Sequence, residues 1–318
     1  MKLLITGALG HIGSRFINAL KPGEFEEVVL MDNLSTQRYS SLFNLPQGVP
    51  FRFVEDDVLT ANLEEYLDNT DAVIHLAAIT DAASSFDHPE LVEQVNFDGT
   101  ERLAEACTQS GSKLIFLSTT SVYGVQEGVV DEACAADQLR PQSPYADSKL
   151  RAEFLLRQLA DRADLDYVVC RFGTIFGVST GMRFHTAVNK FCWQAAMGQP
   201  ITVWRTAMDQ KRPYLDLGDA VEALKFILQR NLFDQGTYNV VTANATVRDI
   251  VDAISNHIPD VSIEYVDSPI MNQLSYVVAA DRFASQGFEP KGSLQRGIAE
   301  TVQLLKGARQ GLLGGVQG

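Results

Sequence analysis

Thr6-Gly7-Ala8-Leu9-Gly10-His11-Ile12-Gly13 follows the apolar run 3–6 without a break and leads into a helix that opens near Ile12. Strand, glycine-rich turn and helix N-terminus in direct succession form the phosphate-binding start of a doubly wound α/β fold. The glycines permit a tight turn, a close approach of backbone to a pyrophosphate, and close helix–strand packing. Free N–H groups and the positive end of the helix dipole then favour the phosphates. The spacing is G-x-x-G-x-x-G, and it predicts a dinucleotide held by the backbone around Gly7, Gly10, His11 and Ile12. Asp32 stands 19 residues after Gly13, at the end of a second apolar run. A carboxylate there accepts hydrogen bonds from the adenosine ribose and repels a 2′-phosphate, which favours NAD over NADP.

Outward from this turn the pattern repeats. Runs 28–31, 51–54, 73–76, 114–117 and 167–171 read as further strands, and 89–110 and 144–162 as long helices. Short apolar strands separated by helices predict a parallel sheet covered on both faces. Asp57 and Val58, just past the third strand, are placed to receive the adenine. Residues 1–171 thus read as a dinucleotide-binding domain, and 172–318 mainly as a smaller α/β substrate-binding region, with 211–243 returning to the first. Helices are expected near 186–197, 218–230, 246–257 and 294–306, and strands near 201–204, 237–241 and 261–266. The tail 307–318 holds five glycines and is expected to fray.

Composition narrows the function. The 318 residues are 46% hydrophobic and 21% charged, an ordinary globular balance. A net charge of −14 argues against unassisted binding to nucleic acid or an anionic membrane. Cys107, Cys134, Cys170 and Cys192 show no metal-ligand spacing, so no metal site is expected. Reduced thiols, the lack of a signal-peptide pattern and the lack of a membrane-length apolar run suggest a cytoplasmic protein.

Tyr145-Ala-Asp-Ser-Lys149 places a phenol and an ammonium one turn apart on one helix face. A tyrosine that serves as a base near neutrality needs its pKa lowered by roughly three units, about 4 kcal/mol. A neighbouring cation favours the phenolate.

TGALGHIG, MDNLS, EDDV, HLAA, NFDGT, STTSVYG, SPYADSK and RFGTIFG occur in the order found in the extended short-chain dehydrogenases/reductases. The chain resembles their NAD-dependent sugar-nucleotide epimerases, of the UDP-glucose 4-epimerase type. That resemblance implies Tyr145 as catalytic base, Lys149 as its partner and nicotinamide-ribose ligand, and Thr119 as the catalytic hydroxyl. For Thr119 the alternative is a strand-end hydroxyl that caps its own backbone. The resemblance also places Asn33 beside Asp32, and Asn96 and the strand end Leu76, Ala77 and Ala78 beside the cofactor. Phe172 and Thr174 fall where the chain passes from cofactor to sugar nucleotide. It implies a homodimer built on the helices near 89–110 and 144–162.

On the substrate side, Arg212-Pro-Tyr-Leu-Asp resembles the family segment whose arginine binds substrate phosphate, and Arg205 lies seven residues earlier. Three positions depart from the family. Thr174 replaces an asparagine, Ile79-Thr80 stands where a lysine is expected, and Ser268-Pro269-Ile270-Met271 carries no arginine. Arg183 or Arg248 would then rebuild the clamp. His185 lies in the region that lines the sugar, as a substrate contact or a second acid/base. Dehydratase relatives carry Asp-Glu after the catalytic threonine; here Thr120 and Ser121 stand there, and no acid is present to eliminate water. The implied reaction is epimerisation of a nucleotide-sugar, at C4 of a UDP-hexose, by transient oxidation to a keto-sugar. The alternatives are net oxidation or reduction of a sugar or small alcohol, and a non-catalytic NAD sensor.

Overall fold

The computed structural model of the chain describes residues 1–267 and 275–308. Seven strands form one sheet in the order Thr237–Val240, Tyr167–Phe172, Lys113–Thr119, Ala72–His75, Lys2–Thr6, Glu27–Asp32, Phe51–Glu55. All six neighbouring pairs are parallel. The chain first adds strands on one side of Lys2–Thr6 and then crosses to the other. The crevice past the ends of Lys2–Thr6 and Ala72–His75 is therefore the switch point at which such sheets bind ligands. Side chains alternate between two cores. Leu3 and Ile5 pack with Phe16 and Leu224 on one face, and Leu4 packs with Leu103 and Leu156 on the other. This is why the strands read as continuous apolar runs.

The helical run 89–110 is interrupted. Pro89–Glu93 is α-helical, Gln94–Asp98 is a π turn, and Gly99–Ser110 resumes the α-helix. The helix expected near 144–162 spans Pro144–Ala163, with Ser143 accepting from the Ala146 N–H at 3.2 Å as its cap.

Within 211–243 the chain divides its time between two sheets. Thr237–Val240 pairs with Tyr167–Phe172 at the edge of the large sheet, and helix Leu217–Arg230 lies beside helix His11–Asn18. Lys211–Asp216 instead joins a three-stranded sheet, between Ala243–Thr246 and Thr174–Phe176. None of these three strands was expected from the sequence. A third core around Phe176, Val188, Ile250 and Ile298 unites this sheet with helices Ala187–Ala196, Val247–Ser255 and Leu294–Leu305. The 268–271 segment and most of the glycine-rich tail lie outside the described residues; 307–308 complete a short turn after the last helix. Among the described residues no helix is long and apolar enough to cross a membrane.

Candidate active site

The glycine turn is a steric necessity. Gly7 has φ +64, and a Cβ built on it would sit 2.6 Å from the Ala77 nitrogen at the end of the neighbouring strand. Only glycine allows this approach without strain. Helix His11–Asn18 starts at Gly10 with no side-chain cap, which leaves N–H groups directed at the crevice. Asp32 braces the turn: one carboxylate oxygen accepts from Leu9 N–H at 3.0 Å and the other from Leu34 N–H at 2.9 Å. Asn33 donates to Asp57 at 2.8 Å, and Asp57 also accepts from Leu59 N–H at 2.9 Å. The Val58 side chain is buried in the core rather than presented to the crevice, and its carbonyl accepts from Arg102.

Arg38, which the sequence reading passed over, stands near Asp32. Burial and the nearby Arg183 push it down to about 10, with Asp32 opposing. Its Nη1 is buried without a hydrogen-bond partner among the described residues. His11 is pushed down to about 3 by burial, then by Arg183, Arg38 and His185. It is a neutral imidazole whose Nδ1 bonds the Ser179 hydroxyl at 2.7 Å. The loop carrying Ser179 is pinned over the turn: Gly181 N–H donates to Ser14 Oγ at 3.0 Å, and Asn189 donates to the Arg183 carbonyl at 3.0 Å. Basic groups that repel one another around an uncapped helix N-terminus, with an orphaned guanidinium nitrogen, fit a dinucleotide diphosphate.

A buried polar strut links this turn to the helical run at Asn96. Thr6 Oγ1 lies 2.7 Å from His75 Nδ1, and His75 Nε2 lies 3.0 Å from Thr100 Oγ1. Thr100 gives its single hydroxyl proton to the Asn96 carbonyl at 2.7 Å. His75 must therefore donate from Nε2 and accept at Nδ1 from Thr6. Burial pushes His75 down to about 3, consistent with a neutral ring. Asn96 lies in the π turn and does not reach outward. Its side chain accepts from Ile79 N–H at 2.8 Å and donates to Ile79 O at 2.9 Å. It fixes the chain just past Leu76, Ala77 and Ala78, which border the crevice half-buried.

Across the crevice stand the three expected catalytic groups. Thr119 ends strand Lys113–Thr119; its hydroxyl accepts from Ser121 N–H at 3.1 Å and also hydrogen-bonds the Tyr145 phenol. The capping reading is thus observed, and the same hydroxyl also faces Tyr145. Burial raises the Tyr145 pKa, while the Thr119 hydrogen bond and Arg183 pull it back. Lys149 is 2% exposed, with its ammonium 4.7 Å from the centre of the Phe116 ring. Burial pushes it down to about 7, with Glu153 opposing.

The substrate residues separate into two groups. Arg183 donates to the Thr80 hydroxyl and feels Tyr145, Asp32 and Asp81. His185 lies nearby, lowered by burial and then by Arg183. Arg212 is also lowered by burial, with only Tyr276 and Tyr214 opposing, and no carboxylate pairs with it among the described residues. Tyr276 donates to the Thr120 carbonyl at 3.1 Å, which ties the Arg212 side of the site to the catalytic strand end. Thr174 pairs with Tyr214 in the small sheet, and Phe172 is buried in the core. Arg205 is exposed, 3.6 Å from Asp267, and Arg248 is held by Asp209 at 2.9 Å. Arg248 is therefore engaged on the surface, whereas Arg183 sits in the crevice.

Comparison with known proteins agrees with this fold. Residues 3–240 match the model of the NAD dependent epimerase/dehydratase family. The uncharacterized UDP-glucose epimerase YtcB of Bacillus subtilis is 29% identical, over 98% of this chain and 100% of that one. A trifunctional UDP-glucose 4,6-dehydratase/UDP-4-keto-6-deoxy-D-glucose 3,5-epimerase/UDP-4-keto-L-rhamnose-reductase of Arabidopsis thaliana is 28% identical over 95% of this chain, which spans 46% of that protein. A solved point mutant of the UDP-glucuronic acid 4-epimerase of Bacillus cereus, in complex with UDP-4-deoxy-4-fluoro-glucuronic acid and NAD, superposes with a TM-score of 0.88 at 26% identity, over 97% of this chain and 100% of that one. With the glycine turn, the parallel sheet and the threonine–tyrosine–lysine set all in place, the chain belongs to the NAD dependent epimerase/dehydratase family.

Proposed function

We propose that this chain is a UDP-hexose 4-epimerase that uses NAD, with Tyr145 as the base. One observation carries the reading. The crevice offers a hydroxyl, a phenol and an ammonium (Thr119, Tyr145 and Lys149), while Thr120 and Ser121 occupy the positions where dehydratases hold acids.

Gly10, His11 and Ile12 would hold the dinucleotide, with Asp32 and Asn33 serving its adenosine part and Lys149 its nicotinamide part. Bound NAD supplies reversible hydride acceptance. Tyr145, as phenolate, takes the proton of the C4 hydroxyl, and the Thr119 hydroxyl holds the same oxygen as it becomes a carbonyl. Lys149 stabilises the phenolate by its charge. After the ketone turns over, Tyr145 returns the proton to the oxygen on the opposite face. Arg212, a half-buried cation without an acid partner, holds the substrate diphosphate, assisted by Arg183. Thr80, Thr174 and His185 line the sugar, and Arg205 contacts the nucleotide end.

The same reading includes a homodimer packed through helices Gly99–Ser110 and Pro144–Ala163, which lie side by side. It also includes a cytoplasmic location, in keeping with the free thiols Cys107, Cys170 and Cys192 buried in the structure.

Incubation with UDP-glucose, UDP-galactose and their uronic-acid counterparts tests the proposal. Interconversion of C4 epimers without net NADH absorbance is expected. Stoichiometric NADH accumulation would make the protein a dehydrogenase, and retention of full activity by Tyr145→Phe would remove Tyr145 from its role. The general-base contribution predicts a loss of roughly 10²–10⁴-fold in that variant.

A further inference from the structure

Below the reaction centre lies a sealed polar cluster that the steps above do not use. Tyr145, Lys149 and Glu153 follow at intervals of four along helix Pro144–Ala163 and form one stripe. Glu153 is 7% exposed and Arg171 is 5% exposed. Arg171 Nη2 donates to Glu153 at 2.6 Å, and its Nε reaches both carboxylate oxygens at 3.1 and 3.2 Å. Ser118, which pairs with Arg171 in the sheet register, donates its hydroxyl to the same carboxylate. Arg171 in turn lies over the Tyr123 ring at 4.9 Å, and Tyr123 donates to Asn239 at 2.9 Å.

Such a pair gives little net stability, because desolvating both ions offsets their attraction. Its position suggests another use. Around the Lys149 ammonium stand the Phe116 ring, the neutral His75 ring, Tyr145 one turn above and Glu153 one turn below. Arg171 is paired with Glu153, and Arg183 acts on Tyr145. Glu153 is thus the one anion set against Lys149 among the described residues.

We propose that Glu153, fixed by Arg171 and Ser118, is a positioning residue that keeps Lys149 in its ammonium form beneath Tyr145, a role that rests on the proton-transfer reading above. Burial already brings Lys149 to about 7 with Glu153 in place. Without that carboxylate no other group among the described residues would oppose burial in holding the proton on Lys149, so the ammonium would be less favoured and would support the phenolate less.

Two variants test this in the full chain: Glu153→Gln, and the charge-free pair Glu153→Leu/Arg171→Met, which keeps the site filled if a lone unpaired Arg171 prevents folding. The charge of Lys149 is followed by the pH dependence of its side-chain resonance in 13C-lysine-labelled protein, assigned with Lys149→Met. Charges one helical turn apart predict a fall in the titration midpoint of roughly one to two pH units. The alkaline limb of kcat for the UDP-sugar should move down with it, while KM stays within about twofold. A merely structural pair would leave both the midpoint and the limb in place, and an unchanged midpoint in the folded double variant overturns the proposal. A shifted midpoint in a protein whose wild type converts no UDP-sugar would refute the epimerase reading and leave the control of Lys149 by Glu153 standing.

Discussion

Gly7→Ala separates steric fit from backbone strain, because the chain provides its own control. Gly7 and Gly23 both have left-handed φ, +64 and +85, but a Cβ on Gly23 meets nothing within 4 Å. At Gly7 the Cβ would lie 2.6 Å from Ala77 N and 2.7 Å from Leu76 C, both backbone atoms at a strand end. Ordinary contact at 3.4 Å requires a shift of 0.8 Å, which no rotamer change can supply. Left-handed strain of about 1–2 kcal/mol acts in both variants, less the ~0.4–1 kcal/mol gained from a stiffer unfolded chain. Only Gly7→Ala adds an overpacking cost of about 1–3 kcal/mol. Urea unfolding should therefore place Gly7→Ala below Gly23→Ala by about 1–3 kcal/mol. Titration calorimetry should show NAD affinity reduced more than about tenfold in Gly7→Ala alone, since the displaced turn is the cofactor's seat. Equal stabilities with equal NAD affinities would refute the steric argument.

Three further outcomes follow from charge and burial. His75 has its folded-state pKa lowered from 6.5 to about 3, so the unfolded chain binds the extra proton between those values and stability falls as pH drops through that window. The loss amounts to about 1.4 kcal/mol per pH unit, and His75→Gln should show a correspondingly shallower pH dependence of the urea midpoint. Arg38→Met should weaken NAD binding roughly tenfold, the value of one charged hydrogen bond, while improving or preserving stability by removing an orphaned buried nitrogen; unchanged affinity would place Arg38 outside the cofactor site. Arg212→Met should raise KM for a UDP-sugar by roughly 10–100-fold with kcat nearly constant, as expected when binding common to ground and transition states is lost.

The strands and the glycine turn were legible because their signals are local. A strand buried on both faces must be apolar throughout, and a turn touching backbone must lack a Cβ. Tyr145 and Lys149 were paired by their four-residue spacing and Thr119 by the family resemblance, and the structure brings all three to one crevice. Arg38 was not, since it sits in a polar loop with no periodicity and its role arises only from closeness to Asp32, His11 and Arg183. The strands Thr174–Phe176 and Ala243–Thr246 are too short for a periodic signal, Lys211–Asp216 opens on Lys-Arg-Pro with no continuous apolar run, and all three depend on their pairing for existence. Val58 and Phe172 were expected beside the cofactor, but their side chains turn into the cores, a burial that the chain position alone does not reveal. Glu153 could have been found: it is the next step of the same four-residue interval that relates Tyr145 to Lys149.

The π turn at Gln94–Asp98 also sets the phase of the whole helical run. Each π turn accommodates one residue more than an α-helix would, and one residue corresponds to about 100° of rotation. The segments Pro89–Glu93 and Gly99–Ser110 therefore present faces that a continuous α-helix would not align. Removing a single residue from the turn would swing Asn96 away from Ile79 and unlatch the crevice wall, while each half of the helix kept its own hydrogen bonds. The run behaves as two gears joined by an offset key, and the key is where the polar strut ends.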